Sequence, residues 1–183
     1  MGTVDWKEPA EALPGLIALA YEELRRIARA RVAQLAPGGT LAPTDLVNEV
    51  LLRLLKQHKR QWGGTDHLIR VAAEAMHDVL VDHARRREAS KRGGQHKRIA
   101  WDEELPIEAP AQDMLCFHEA CESVRRHSEA HFDLLLLRIY AGLSMEEIAV
   151  QRGQSERTVQ RQWKFVKAVL HSHFKSAEAA PVL

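Results

Sequence analysis

Apolar residues recur along most of the chain at three- and four-residue intervals, the spacing that gathers them on one face of an α-helix. No stretch alternates as a half-buried strand does. A first helix is expected from Pro14 to about Leu35, with Leu16, Ala20, Leu24 and Ile27 along its inner side; the "APGG" of 36–39 ends it. A second is expected to begin near Thr44, read as an N-cap whose hydroxyl accepts an unpaired amide hydrogen. Leu46, Val47, Val50, Leu51, Leu54 and Leu55 form its broad apolar face. Its opposite face carries Asp45, Asn48, Glu49, Arg53 and Lys56 around Leu52, which is either a partner contact or one of the isolated exposed leucines common on surfaces.

The "RQWGGTDH" of 60–67 reads as a loop, and a third helix follows from about Asp66 to Glu88. Leu68, Ala72, Ala75, Met76 and Val79 give its buried stripe. Arg85, Arg86 and Arg87 crowd its end, where cations suit the helix dipole whatever else they do. Residues 94–112, with two prolines and several acids in "ELPIEAPAQD", lack a helical period and read as a flexible linker. Two more helices are expected at Met114–Arg126 and Glu129–Tyr140. The fold class is therefore all-α: two small helical domains, at 10–93 and 113–175, joined by that linker.

The segment "GLSMEEIAVQRGQSERTVQRQWKFVKAVL", 142–170, predicts two helices around a sharp turn at Gly153, where glycine accepts a positive φ cheaply. Leu143, Met145, Ile148 and Ala149 can face inward from the first. Ser155 caps the second, which splits into two halves. Thr158, Val159, Gln162, Trp163, Phe165, Val166, Val169 and Leu170 lie on one, and Glu156, Arg157, Gln160, Arg161, Lys164 and Lys167 on the other. Guanidinium and amide groups in such a row suit base edges and phosphates in a major groove. Helical hairpins with polar faces are also common in proteins that bind no DNA, and the apolar helix upstream favours the DNA-reading alternative by supplying a supporting core.

Charge sharpens the picture. The formal net charge is +1, yet 53–98 is rich in Lys and Arg while 102–122 holds seven acids and no Lys or Arg. Two basic zones separated by an acidic one suggest two anion-binding surfaces, although a mixed solvated surface gives similar counts. No apolar run approaches the roughly 20 residues that span a bilayer, and the first residues lack a signal-peptide pattern. Cys116 and Cys121 offer no disulfide framework. A cytoplasmic protein is expected.

Three quoted stretches carry a family resemblance. "LLLLRIYAGLSMEEIAVQRGQSERTVQRQWKFVKAVL" resembles the region-four domain of extracytoplasmic-function (ECF) sigma factors, where a Leu-Ser-x-x-Glu-Ile-Ala helix precedes a Ser-x-x-Thr-Val recognition helix. "TDLVNEVLLRLL" is similar to the region-two helix that binds the polymerase clamp helices, and "AAEAMHDVLVDHARRREASKRGG" to the promoter-facing helix and tail of one branch. The resemblance spans roughly 14–174. Two departures stand out: Gln154 replaces a usual apolar turn residue, and Ala42, Pro43, Thr44 and Asp45 replace an acidic cluster.

What the resemblance implies is a factor that performs no chemistry and binds no cofactor or metal. It directs RNA polymerase core to promoter DNA. Ser155, Arg157, Thr158, Gln160, Arg161 and Lys164 are the expected −35 contacts. Trp62, Thr65, His67 and Arg70 are expected at the melted −10 strand, with Arg85, Arg86, Arg87, Lys91 and Arg92 on its phosphates. Trp62 is either a stacking platform or a loop tryptophan folded onto the helices. Asp45, Asn48, Glu49, Leu52 and Arg53 are the expected polymerase contacts. Thr44 is either a plain cap or a phosphorylation switch, a serine/threonine kinase then standing in for an anti-sigma factor. Two other readings are weaker. "HSEAH" at 127–131 misplaces the glutamate of a zinc-protease helix, and "CFHEAC" at 116–121 lacks a fourth zinc ligand. A stand-alone helix-turn-helix regulator accounts for the C-terminal half but leaves the N-terminal helices unassigned.

Overall fold

A computed structural model describes residues 12–35, 41–56, 63–90 and 111–179. Seven helices are found among them and no strand: α1 (Ala12–Leu35), α2 (Pro43–Lys56), α3 (Thr65–Ser90), α4 (Ala111–His127), α5 (Glu129–Ile139), α6 (Met145–Arg152) and α7 (Glu156–Ala179). The all-α expectation holds. Most of the expected linker lies outside the described residues. Among the described residues, no helix is long and apolar enough to cross a membrane.

The stripe expected of α1 is buried throughout, at Leu16, Ala20, Leu24 and Ile27. Pro14 falls inside its first turn, where a missing N–H leaves no helical bond unmade. On α2, Leu46, Val47, Val50 and Leu54 are buried, but Leu55, expected inside, is 47% exposed. Thr44 is not the cap. Helix α2 starts at Pro43, whose fixed φ suits the first helical position, so Ala42 takes the cap position. The carboxylate of Asp45 accepts the Ala42 N–H at 3.3 Å, the half of a capping box that runs from the third helical position back to the cap residue.

Helix α3 departs most from expectation. Leu68, Ala72, Ala75, Met76 and Val79 are buried as foreseen, but so are Val71, Ala73, His77, Leu80, Val81 and Ala84. A helix with one partner layer buries one stripe; α3 has partners on both sides. Helices α1 and α2 cover one side, and α4 and α5 the other, so the two halves of the chain share a continuous core. Near its end, α1 also meets the α5–α6 turn: a side chain built on Gly142 would come within 3.4 Å of Arg31 Nη2.

In the second half, Ser128 caps α5 by accepting the His131 N–H. Phe132, Leu134, Leu135, Leu136, Leu137 and Ile139 are all buried, the four consecutive leucines covering every side of the middle turn, while Glu129 and Arg138 near the ends stay exposed. Helix α6 opens with a capping box: Ser144 Oγ accepts the Glu147 N–H at 3.1 Å, and Glu147 Oε2 accepts the Ser144 N–H at 2.7 Å. These bonds favour the ionised carboxylate and hold the Glu147 pKa below its ordinary value.

Candidate functional site

The turn between α6 and α7 is built as the sequence predicts. Gly153 adopts φ 60° and ψ 34°, the left-handed conformation that glycine enters without steric cost. Its N–H and that of Gln154 close the last turn of α6, the latter on Ala149 O at 2.9 Å. The Gln154 side chain is exposed, so the turn needs no apolar plug there. Ser155 Oγ accepts the Thr158 N–H at 3.2 Å and lies 2.8 Å from the Thr158 hydroxyl, capping α7.

Helix α7 is two-faced. Val159, Trp163, Val166 and Leu170 are buried, anchoring it to α4, α5 and α6. Arg157, Gln160, Arg161 and Lys164 are exposed on the opposite side. Gln160 donates to the Glu156 carboxylate at 2.8 Å, one turn back. Phe165, expected inward, is instead 42% exposed and rests on the rings of His127 and His131, 5.9 and 4.9 Å between centroids. Those two histidines of "HSEAH" thus flank an aromatic ring, and His127 Nδ1 lies 2.7 Å from Ser123 O.

The five residues expected on the α2 surface divide. Asp45, Asn48 and Leu52 are exposed, Leu52 at 58%, and the unforeseen Leu55 one turn on extends the apolar spot. Thr44 is exposed beside them. Glu49 is half-buried, within 3.6 Å of Arg53 and 3.9 Å of Arg86. Arg53 is turned away from that surface: its Nη2 lies 2.7 Å from Asp82 Oδ2 of α3. It ties α2 to α3, a role its position in a polar stripe could not reveal.

The expected −10 residues do not form one cluster. Trp62, Lys91 and Arg92 lie outside the described residues. Thr65 and His67 sit at the first turn of α3 after Gly64, which has φ 92°, and His67 Nδ1 accepts the Gly63 N–H at 3.0 Å. Arg70, on the next turn, donates to Asp133 Oδ1 of α5 at 3.0 Å, so its guanidinium is already engaged. Arg85, Arg86 and Arg87 stand about 22 Å further along the same helix, at 1.5 Å per residue. Arg85 and Arg86 are exposed, whereas Arg87 is half-buried.

One polar chain escaped the sequence reading. His77 of α3 is 1% exposed; its Nδ1 lies 2.7 Å from the Tyr140 hydroxyl and its Nε2 lies 3.0 Å from His118 Nδ1. His118 Nε2 in turn lies 3.3 Å from Arg85 Nη2. A guanidinium only donates, so His118 accepts at Nε2 and donates from Nδ1–H, and His77 then donates from Nδ1–H to Tyr140. Both imidazoles are neutral in this arrangement. Burial, with His118 next to it, lowers the His77 pKa to about 3. Burial also lowers that of His118 and raises that of Tyr140. Histidine and tyrosine spacing gives no warning of such a contact, because its members are 41 and 63 residues apart.

A capped helix-turn-helix that presents an arginine-bearing helix, set in an all-α chain with a second polar face on α2, is the arrangement that helix-turn-helix DNA-binding proteins use. The family model described as "ECF sigma factor" matches residues 8–176, and the chain belongs to that family. It is thus a sigma factor, which joins RNA polymerase core and promoter DNA in transcription initiation. No curated protein and no solved structure matches the chain.

Proposed function

We propose that the chain divides its sigma-factor work among three surfaces, with α4–α7 as the −35 module and α1–α3 as the −10 and polymerase module. The carrying observation is the exposed row Arg157, Gln160, Arg161 and Lys164 opposite the buried anchors of α7. This row reads the −35 duplex, with Ser155 and Thr158 at the helix start near phosphate. Asp45, Asn48, Glu49, Leu52 and the adjoining Leu55 meet the polymerase clamp helices; Arg53 supports this face from behind. Thr65, His67 and Arg70, together with Trp62, meet the melted −10 strand. Arg85, Arg86 and Arg87, followed by Lys91 and Arg92, hold its phosphates. The chain contributes no reaction; polymerase carries the chemistry.

Thr44 serves as the regulated position. It is exposed at the second position of α2, and a phosphate there adds nearly two negative charges where the helix dipole favours them. That restores acidity to a docking face with few carboxylates. A serine/threonine kinase then switches the factor, and an anti-sigma partner is the competing means of control.

The test is to co-purify the chain with core polymerase and sequence the start sites of the transcripts made. A discrete set of starts is expected. A chain that ignores core enzyme yet grips duplex operator alone is a helix-turn-helix regulator instead. For Thr44, run-off transcription compares Thr44→Ala, Thr44→Glu and the phosphorylated chain; equal activity in all three rejects the switch.

A further inference from the structure

We infer that Phe165 is a base-reading residue: its ring, held outward on a platform of His127 and His131, meets the C5-methyl group of a thymine in the −35 duplex. This rests on the proposed placement of the exposed side of α7 against that duplex, and adds to it the one contact that a polar row cannot make.

Helix α7 buries its apolar residues at Val159, Trp163, Val166 and Leu170. Phe165 is the exception: 42% exposed, and the one large apolar side chain left open on α7 among the described residues. It stands four residues after Arg161, about 40° around the helix and about 6 Å further along, and directly follows Lys164. A patch that docks a protein is a contiguous apolar area. A single ring framed by Arg161 and Lys164 suits instead a polyanion that carries isolated apolar groups. The major groove is such a surface. Thymine alone among the bases presents a methyl group there, and phenylalanine is one of the side chains that meets it. Guanidinium, ammonium and amide groups match the hydrogen-bonding atoms of the groove and leave that methyl unread.

The ring is also fixed in place. His131 lies against it with centroids 4.9 Å apart and planes tilted by 35°, and His127 meets it edge-on at 5.9 Å and 70°. The two histidines fall on either side of the Ser128 cap, one ending α4 and one in the first turn of α5, which brings both to the same ring. Each is itself held: His127 Nδ1 lies 2.7 Å from Ser123 O, and the His131 N–H donates to Ser128 Oγ. Burial, with Arg152 and His127 adding to it, lowers the His131 pKa, so the phenyl ring rests on a neutral imidazole at pH 7. Phe165 therefore keeps one orientation before DNA arrives and loses little side-chain freedom on binding. His127 and His131 act through it, as positioning residues.

The test uses core polymerase loaded with the full chain. The complex selects promoters from a duplex library randomised across the −35 element, once with wild type and once with Phe165→Ala. Wild type should favour a thymine at one position, and Phe165→Ala should lose that preference while keeping the others. On the selected promoter, deoxyuridine in place of that thymine removes the methyl group and nothing else. The wild-type complex should bind it about fourfold more weakly, the worth of one buried carbon group. The Phe165→Ala complex should bind both promoters alike. His131→Ala should shrink the thymine-over-uridine ratio and His131→Phe should keep it, whereas a purely structural role would weaken binding to both DNAs equally. An unchanged ratio in His131→Ala overturns the platform. The uridine measurement on wild type needs no variant, so it decides the matter even if Phe165→Ala fails to fold. Equal binding of thymine and uridine promoters by wild type, or a selected element without thymine in either strand, overturns the inference. So does a Phe165→Ala chain that loses core polymerase but keeps every base preference, which makes the ring a protein contact. Arg161→Ala separates the two levels: if it alters selection while uridine has no effect, only the role of Phe165 falls, and if it leaves selection unchanged, the −35 placement of α7 falls as well.

Discussion

His77 makes the folded chain sensitive to acid over a defined range. In the folded state its imidazole stays neutral down to about pH 3, because it is buried and faces a second imidazole. In the unfolded chain it takes up a proton below its ordinary value of 6.5. The unfolded state therefore binds more protons between these values, and stability falls as pH falls through 6.5 toward 3. Above 6.5 both states are neutral and His77 adds no slope. From pH 7.5 to 5.5 its share amounts to a loss of about 1.4 kcal/mol. Other groups overlay this. Burial raises the pKa of Glu74 and Asp78, which stabilises the folded state as pH falls toward 4.5 and opposes His77. The single-site share therefore has to be read by difference. Urea unfolding of wild type and His77→Leu at pH 7.5 and 5.5 provides it.

At pH 7.5 the variant should already be weaker, by about 1–3 kcal/mol less whatever leucine gains by burial, since the Tyr140 hydroxyl and His118 Nδ1 lose their partner. The decisive quantity is the change with pH. Wild type should lose about 1.4 kcal/mol more than His77→Leu over the two units. Parallel profiles would refute the reasoning, because they would mean that His77 reaches water in the native state.

Three further outcomes are expected. Arg161→Ala should weaken promoter binding by the polymerase complex by about 1–3 kcal/mol if Arg161 meets a base, or lower the salt slope by about one unit if it meets a phosphate; competition binding at several salt concentrations separates these. Leu52→Glu should leave the unfolding free energy of the free chain within about 0.5 kcal/mol, since Leu52 is 58% exposed, while markedly weakening co-purification with core polymerase. Gly153→Ala should cost about 1–2 kcal/mol in urea unfolding. A Cβ there meets nothing within 4 Å, so the whole effect is backbone strain at φ 60° and Gly153→Asn should lose less.

The helix-turn-helix was legible because each device in it is local. Gly153, Ser155 and the wheel of α7 act within a few residues, and the Ser144–Glu147 capping box is equally local, carried by "SMEE". The buried stripes of α1 and α2 were legible for the same reason. Errors arose where the answer depended on a distant segment. Leu55 continues the α2 stripe by spacing, yet none of the described helices buries it. Arg53 and Arg70 are polar by type, which points them to solvent or a partner, but each finds a carboxylate on another helix. In "VAAEAMHDVLV" nearly every position is small or apolar, a composition that suits a helix covered on two sides; period alone reports only one. His77 sits in that run as a polar residue and gives no sign that its partners lie beyond the linker.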